Sequence, residues 1–207
     1  MSAAAPSYRV PAHRELIAKP FSWRHLVPSR TRGFAQMLRR QAEILRRAAG
    51  LTAASELESL CGEATAAHAT ACERLRSSLF TPFDAEDLSD VLNGVARVVR
   101  SRHRLAARGG QGLPEADGIV GEWAGCLADL IPQLPKRSQV DARSTRLRAF
   151  DTRFRQEIRR SRGRADEAGP DFRALLARQE EKGLLQTLHA DLRWLSLCIL
   201  RVRYRNG

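Results

Sequence analysis

Aromatic side chains are scarce in this sequence, with Phe, Tyr and Trp together making up 6% of it. Sheet proteins lean on aromatic and β-branched residues, so this shortage, set beside an abundance of Ala, Leu and Arg, argues for long helices. Cysteine is sparse as well. Cys61, Cys72, Cys126 and Cys198 are far apart and form no CxxC, so a zinc ribbon and a disulfide scaffold are both poor fits. Three of them, Cys61, Cys72 and Cys198, fall in apolar-periodic segments where small buried residues belong. The implied compartment is a reducing cytoplasm. No apolar run is long enough to cross a bilayer: the greasiest stretch near the end is Trp194 to Leu200, against roughly 20 residues needed. Arg9, His13, Arg14 and Glu15 interrupt the opening segment, so it does not read as a signal peptide. Also missing are HExxH, GxSxG, the phosphate-binding P-loop and GxGxxG. Hydrolase and nucleotide-hydrolysing chemistry have no candidate motif, and the expectation is a protein that is not an enzyme.

What the sequence does contain is helical periodicity. The 207 residues are 43% hydrophobic and 28% charged, a composition that folds into a sizeable core. Residues 1–29 carry Pro6, Pro11, Pro20 and Pro28 with no stable period and read as an extended, partly ordered leader. From residue 30, Phe34, Met37, Leu38, Gln41, Ile44, Leu45 and Ala48 form one stripe, which Gly50 closes. A second pattern runs from about Thr52 to Leu79 along Leu57, Leu60, Cys61, Ala64, Ala67, Ala71, Cys72 and Leu75. Its alanines imply a close helix–helix approach. At Thr81-Pro82-Phe83-Asp84 the chain resets, with Thr81 suited to cap and Pro82 to the first helical position. The next helix, to about Arg108, faces Leu88, Val91, Leu92, Val95, Val98 and Val99 inward. Three more patterns follow: Glu115 to Leu134, which Pro132 should stop or kink; Val140 to Arg162; and Asp171 to Arg203. The last includes Leu176, Leu185, Leu188, Leu192, Leu195, Ile199 and Val202 among its apolar positions, and residues 163–170 read as a polar turn. The fold class is all-α: six long helices as two antiparallel three-helix bundles, over residues 30–108 and 115–207, or as one elongated bundle of the same helices.

Charge is lopsided. Basic residues number 35 against 23 acidic, a net charge of +12, and all but Lys19, Lys136 and Lys182 of the basic residues are Arg. Residues 51–96 are acidic and their flanks basic. Two clusters stand out: Arg97, Arg100, Arg102, Arg104 and Arg108, then Arg153, Arg155, Arg159, Arg160, Arg162 and Arg164. Either suits anionic lipid headgroups, an acidic protein surface or a nucleic-acid backbone. Nucleic acid is the weakest of these, because no helix-turn-helix, zinc-finger spacing or aromatic stacking platform accompanies the charge. The commoner reading of such clusters is a solvated helix face.

Metal chemistry has a few candidates. Asp87 and Asp90, in the acidic run Asp84, Glu86, Asp87 and Asp90, are i,i+3 neighbours on one face, as a divalent cation needs. Charge stabilisation of a helix start already accounts for Asp84, Glu86 and Asp87. His68 lies one helical turn from Cys72, half a metal site in spacing, although a partly exposed helical histidine is the commoner case. His189, Asp191 and Cys198 span nearly three turns and do not converge.

The segment Leu79-Phe80-Thr81-Pro82-Phe83-Asp84-Ala85-Glu86-Asp87-Leu88, continuing to Asn93, resembles the hairpin between the second and third helices of PhoU-like proteins. Within that family it is closest to the branch of phosphate transport regulators or Pit accessory proteins. The resemblance spans roughly residues 30–207 in helix count and length. It implies a tandem pair of pseudo-symmetric three-helix bundles in a bacterial, cytoplasmic protein peripheral to the membrane. Such a protein is linked to inorganic phosphate uptake and acts by binding a transporter or signalling partner. Many relatives hold Fe, Zn, Mg or Ca through acidic helix motifs. Here Glu63, Asp87, Asp90, Asp151 and Asp191 would be the partial ligands, but Ala96, Arg97 and Arg100 stand where the family usually places carboxylates. Guanidinium groups repel a dication, so the expectation is a metal-poor member with no resident cofactor. Arg97 and Arg100 are then free to pair with Glu63, Asp90 or Asp151, or to form with Arg104, Arg155 and Arg159 a surface for phosphate or another anion or for a partner. Expected partners are a phosphate transporter or other membrane protein, an anionic lipid surface and a second copy of the chain. The alternatives are a divalent-metal-binding relative and a basic helical nucleic-acid-binding protein.

Overall fold

A computed structural model of the chain describes residues 28–78, 84–108, 114–134, 141–166 and 172–206. These form six α-helices: α1 (Pro28–Gly50), α2 (Ala54–Ser77), α3 (Ala85–Ala107), α4 (Pro114–Leu130), α5 (Asp141–Asp166) and α6 (Phe172–Asn206), with one 3-10 turn at Ile131–Gln133. The leader, apart from Pro28 and the residue after it, lies outside the described residues, as do Thr81, Pro82 and Phe83. The cap seen at the start of α3 is Asp84, whose carboxylate accepts from the Glu86 amide at 2.9 Å. It satisfies one of the amides a helix start leaves free. α5 continues to Asp166, through part of the stretch that the sequence suggests is a turn. At the end of α4, Pro132 offers no amide, so the α-helix tightens into the 3-10 turn, closed by Leu134 N–H on the Ile131 carbonyl at 3.2 Å.

The apolar stripes find the interior. Phe34, Met37, Leu38, Ile44, Leu45 and Ala48 of α1 are buried, and so is the whole inward face of α3 from Leu88 to Val99. One continuous core takes side chains from all six helices. Among the described stripe residues Leu176 is the exposed one, at 53%, near the start of α6.

The helices form two trios, α1–α3 and α4–α6, which pair like with like: α1 lies on α4, and α3 lies along α6. Within each trio the second helix packs on the third, α2 on α3 and α5 on α6. This is the arrangement of two pseudo-symmetric three-helix bundles sharing a seam. The α3–α6 approach is close because Gly94 has no side chain: a Cβ there would sit 2.9 Å from Leu195 Cδ1 and 3.3 Å from its Cβ. At the centre of the second trio, Trp123 meets Phe150 at 6.3 Å and Phe154 at 6.4 Å, and its indole N–H donates to Ser196 Oγ at 3.0 Å. Ser196 Oγ in turn donates to the Leu192 carbonyl. No described helix is long and apolar enough to cross a membrane.

Candidate functional site

The five carboxylates singled out by the sequence are each engaged by cationic side chains, mostly from a different helix. Asp87 and Asp90 face α6, where Arg201 reaches both: its Nε is 2.8 Å from Asp87 Oδ1 and its Nη2 touches Asp90 Oδ2. Arg205, one turn further on, donates to both Asp87 oxygens at 3.1 and 3.2 Å and comes within 3.9 Å of Asp84. A guanidinium therefore sits where a cation bridging the i,i+3 pair would sit. The Asp90 contact also pushes the Arg201 pKa further above its ordinary value.

Two turns along the same seam, Asp191 is buried between Arg97 and Ser101. Arg97 approaches Asp191 Oδ1 through Nη2 at 2.7 Å and Nε at 2.8 Å, while Ser101 Oγ donates to the other oxygen at 2.6 Å. Arg97 is also held over the Trp194 ring, 5.3 Å from its centroid. On α2, Glu63 takes two arginines of α1, Arg40 at 2.8 Å and Arg47 at 2.7 Å. On α5, Asp151 is shared by Arg155 at 2.7 Å and His189 Nε2 at 2.8 Å. Burial lowers the pKa of His189 against the upward pull of Asp151. Its ring stacks on Phe154 at 5.5 Å with Trp123 edge-on at 5.9 Å.

The expectation that Arg97 pairs with Glu63, Asp90 or Asp151 is thus corrected: its partner is Asp191, 94 residues away on α6. Arg100 pairs with no described carboxylate and donates to the Ala96 carbonyl at 3.3 Å. Arg104 and Arg159 are exposed and have no ion-pair partner among the described residues. Nor is the α3 arginine cluster one surface. Arg102 is 5% exposed, bound to Asp117 of α4 and, at 3.0 Å, to the Leu51 carbonyl. Arg108 pairs with Glu180 of α6 at 2.9 Å. Arg97 meets α6 at Asp191, whereas Arg155 reaches it through Asp151 and His189. His189 and Asp191, two residues apart on α6, point about 200° apart around its axis, so the Arg97 and Arg155 pairings lie on different faces of α6.

Among the described residues no group of three or more His, Cys, Asp or Glu side chains is placed to hold a metal ion. Cys72 Sγ lies 3.6 Å from His68 Nε2, a contact within one helix. Cys198 is buried beside Asp90, and burial pushes its thiol up to about 11.

Sequence reasoning missed three features. One is the His189–Asp151 pair, which joins residues 38 apart. Another is Arg102 as a buried tie. The third is a groove of about 720 Å³ between α1 and α2, with Gln41 on its lining. The last had a signal, since Gln41 is the polar member of an otherwise apolar stripe. No protein-family model matches the chain, and no curated protein matches it.

Proposed function

We infer that the chain works without catalysis, as an accessory or regulatory protein of inorganic phosphate uptake. It docks on a Pit-type transporter or another membrane protein at the cytoplasmic face of the membrane. The observation that supports this reading best is the like-with-like pairing of α1 with α4 and α3 with α6, the tandem arrangement that the resemblance to PhoU-like proteins implies. The Thr81-Pro82-Phe83-Asp84 motif carries the sequence resemblance to that family. In this reading no metal is resident. Each carboxylate that would serve as a ligand already has a guanidinium within 2.8 Å or less, and a dication would have to displace it. Exposed Arg100, Arg104 and Arg159 add attraction toward anionic lipid within a Debye length of the surface.

Co-purification of the tagged full chain from membranes, with the captured partner identified by mass spectrometry, tests the reading directly. A phosphate transporter among the partners is the expected result; its repeated absence, with no flotation on anionic vesicles, overturns it. Elemental analysis of the same preparation should find less than about one tenth of an equivalent of Fe, Zn, Mg or Ca, and stoichiometric metal would favour the metal-binding alternative.

A further inference from the structure

α2 leans on α3 more than on α1, and the groove of about 720 Å³ opens along the α1 side of it. Met37, Ala66, Ala67 and Ala71 supply its apolar lining. Arg39 and Arg40 line it from α1, and Arg74 from α2. The carboxylates nearby are already taken: Glu63 holds Arg40 and Arg47, and Glu43 turns to Arg46. Among the described residues Arg39 has no ion-pair partner, and the Arg74 side chain donates only to the Gly33 carbonyl. Guanidinium is therefore in excess along both edges.

Two further observations point to an occupant. Gln41 is 1% exposed, lines the groove, and its Oε1 meets no donor among the described residues, a state that buried polar atoms seldom keep. The second is the character of α2. From Ala64 to Cys72 it carries no Asp, Glu, Lys or Arg, although Thr65, Ala66, Ala69 and Thr70 are exposed. In a chain that is 28% charged, a face of small neutral side chains is suited to a closely packed neighbouring helix.

We propose that the α1–α2 groove receives an amphipathic helix of a protein partner, acidic along its edges and small or apolar on the face laid against the alanines. The lining runs along α2 from Glu63 to Arg74, about 16 Å at 1.5 Å per residue, which accommodates about three helical turns. Carboxylates at three- to four-residue spacing reach Arg39, Arg40 and Arg74, and a hydroxyl or carboxamide on the inner face supplies the donor that Gln41 lacks. A bilayer surface fits the place poorly, because alanine methyls recessed between two helices offer little to insert. A second copy is a poorer source of acidic edges, because in its acidic stretch, residues 51–96, Glu63, Asp87 and Asp90 are already held by arginines. The proposal deepens the docking reading by naming the partner's chemistry, and it rests on that reading only in requiring a protein partner.

The test is a display library of helix-biased peptides of about 14 residues, selected on the full chain and counter-selected on Ala66→Trp, which plugs the groove from an exposed position. Circular dichroism and a thermal melt confirm that the variant folds. Enriched peptides should carry Asp or Glu at three- to four-residue spacing beside small residues, and Ala66→Trp should bind them at least tenfold more weakly. Their affinity should fall about tenfold on the double variant Arg39→Glu/Arg74→Glu, the size expected for two exposed ion pairs turned repulsive. Replacing Glu by Lys in the peptide should restore binding to that variant. No enrichment, enrichment without an acidic pattern, or equal binding to the plugged chain overturns the proposal. So does phosphatidylglycerol-vesicle binding or self-association that Ala66→Trp abolishes while the peptides fail, since either gives the groove a different occupant. A transporter retained by Ala66→Trp removes the groove and leaves the phosphate-uptake reading. Acidic peptides selected in the absence of any transporter do the reverse.

Discussion

The α3–α6 seam and the α1–α2 seam are built from the same kinds of residue and reach opposite ends. Along α3–α6, arginines and carboxylates come from facing helices in matched numbers: Arg97 with Asp191, Arg201 and Arg205 with Asp87 and Asp90. Gly94 lets the backbones close until Leu195 and Trp194 fill the space. Along α1–α2, Glu63 alone holds two arginines, Arg39 and Arg74 have no described carboxylate, and alanines leave a groove in place of a contact. A helix pair closes when apolar volume and charge both balance across it. Where neither does, the surface left behind is suited to something outside the chain.

Truncations in the two seams give the largest contrast. Leu195 is wholly buried, so Leu195→Ala should cost about 3 kcal/mol. Met37 borders the groove, where the lost volume opens to solvent, and Met37→Ala should cost about 1 kcal/mol. Chemical denaturation of both variants measures the difference, and equal losses would mean that the groove is packed as tightly as the seam. Charge comes next. Arg97→Ala leaves Asp191, 5% exposed, with Ser101 as its remaining partner among those described here. We expect a loss of about 2 kcal/mol, less than for a fully buried pair because Arg97 itself is 43% exposed. Arg39→Ala, by contrast, should stay within about 0.5 kcal/mol of the parent.

Glycines sharpen the comparison at smaller scale. Gly94→Ala forces a methyl against Leu195 and should destabilise by about 1–2 kcal/mol despite the better helix propensity of alanine. Gly62, in the middle of α2 with nothing within 4 Å of an added Cβ, should give a gain of about 0.5–1 kcal/mol on substitution by Ala. Thermal melts would show the two shifts with opposite signs.

The smallest effect expected is a dependence on pH away from both seams. Burial between Trp123 and Phe154 lowers the His189 pKa below its ordinary 6.5, so the folded chain binds that proton less readily than the unfolded one. Its contribution to stability is complete above pH 6.5 and is lost as the pH falls through the lower folded-state pKa. Denaturation midpoints should therefore drop between neutral pH and about pH 5, and His189→Phe should flatten the slope. A midpoint that rises on acidification would contradict the direction.

How far the sequence foretold this structure depends on the range of the interaction. Helices and their inward faces were legible because an apolar residue every three or four positions is a local signal: Leu38, Leu45, Val91, Val98, Leu188 and Ile199 are all buried as the stripes require. Pro132 ends its helix for an equally local reason. The choice of ionic partner is not local. Nothing near Arg97 in sequence announces Asp191, and Arg102 looks like its exposed neighbours until α4 supplies Asp117 beside it. Leu176 shows the same limit from the apolar side, since its periodicity is correct but no described neighbour covers it. The groove lay between these cases. The neutral run from Ala64 to Cys72 was visible, yet its alanines read equally well as core, and only the position of α1 decides which of them face outward.

Crossing like with like also means that neither trio is complete alone. α1 packs on α4 and α3 along α6, so a fragment ending in the α3–α4 connection would present two greasy helix faces to water at once. Dissection into halves should yield insoluble material, while the intact chain should melt in a single cooperative step, its amides in α3 and α6 exchanging with deuterium only when the whole molecule opens.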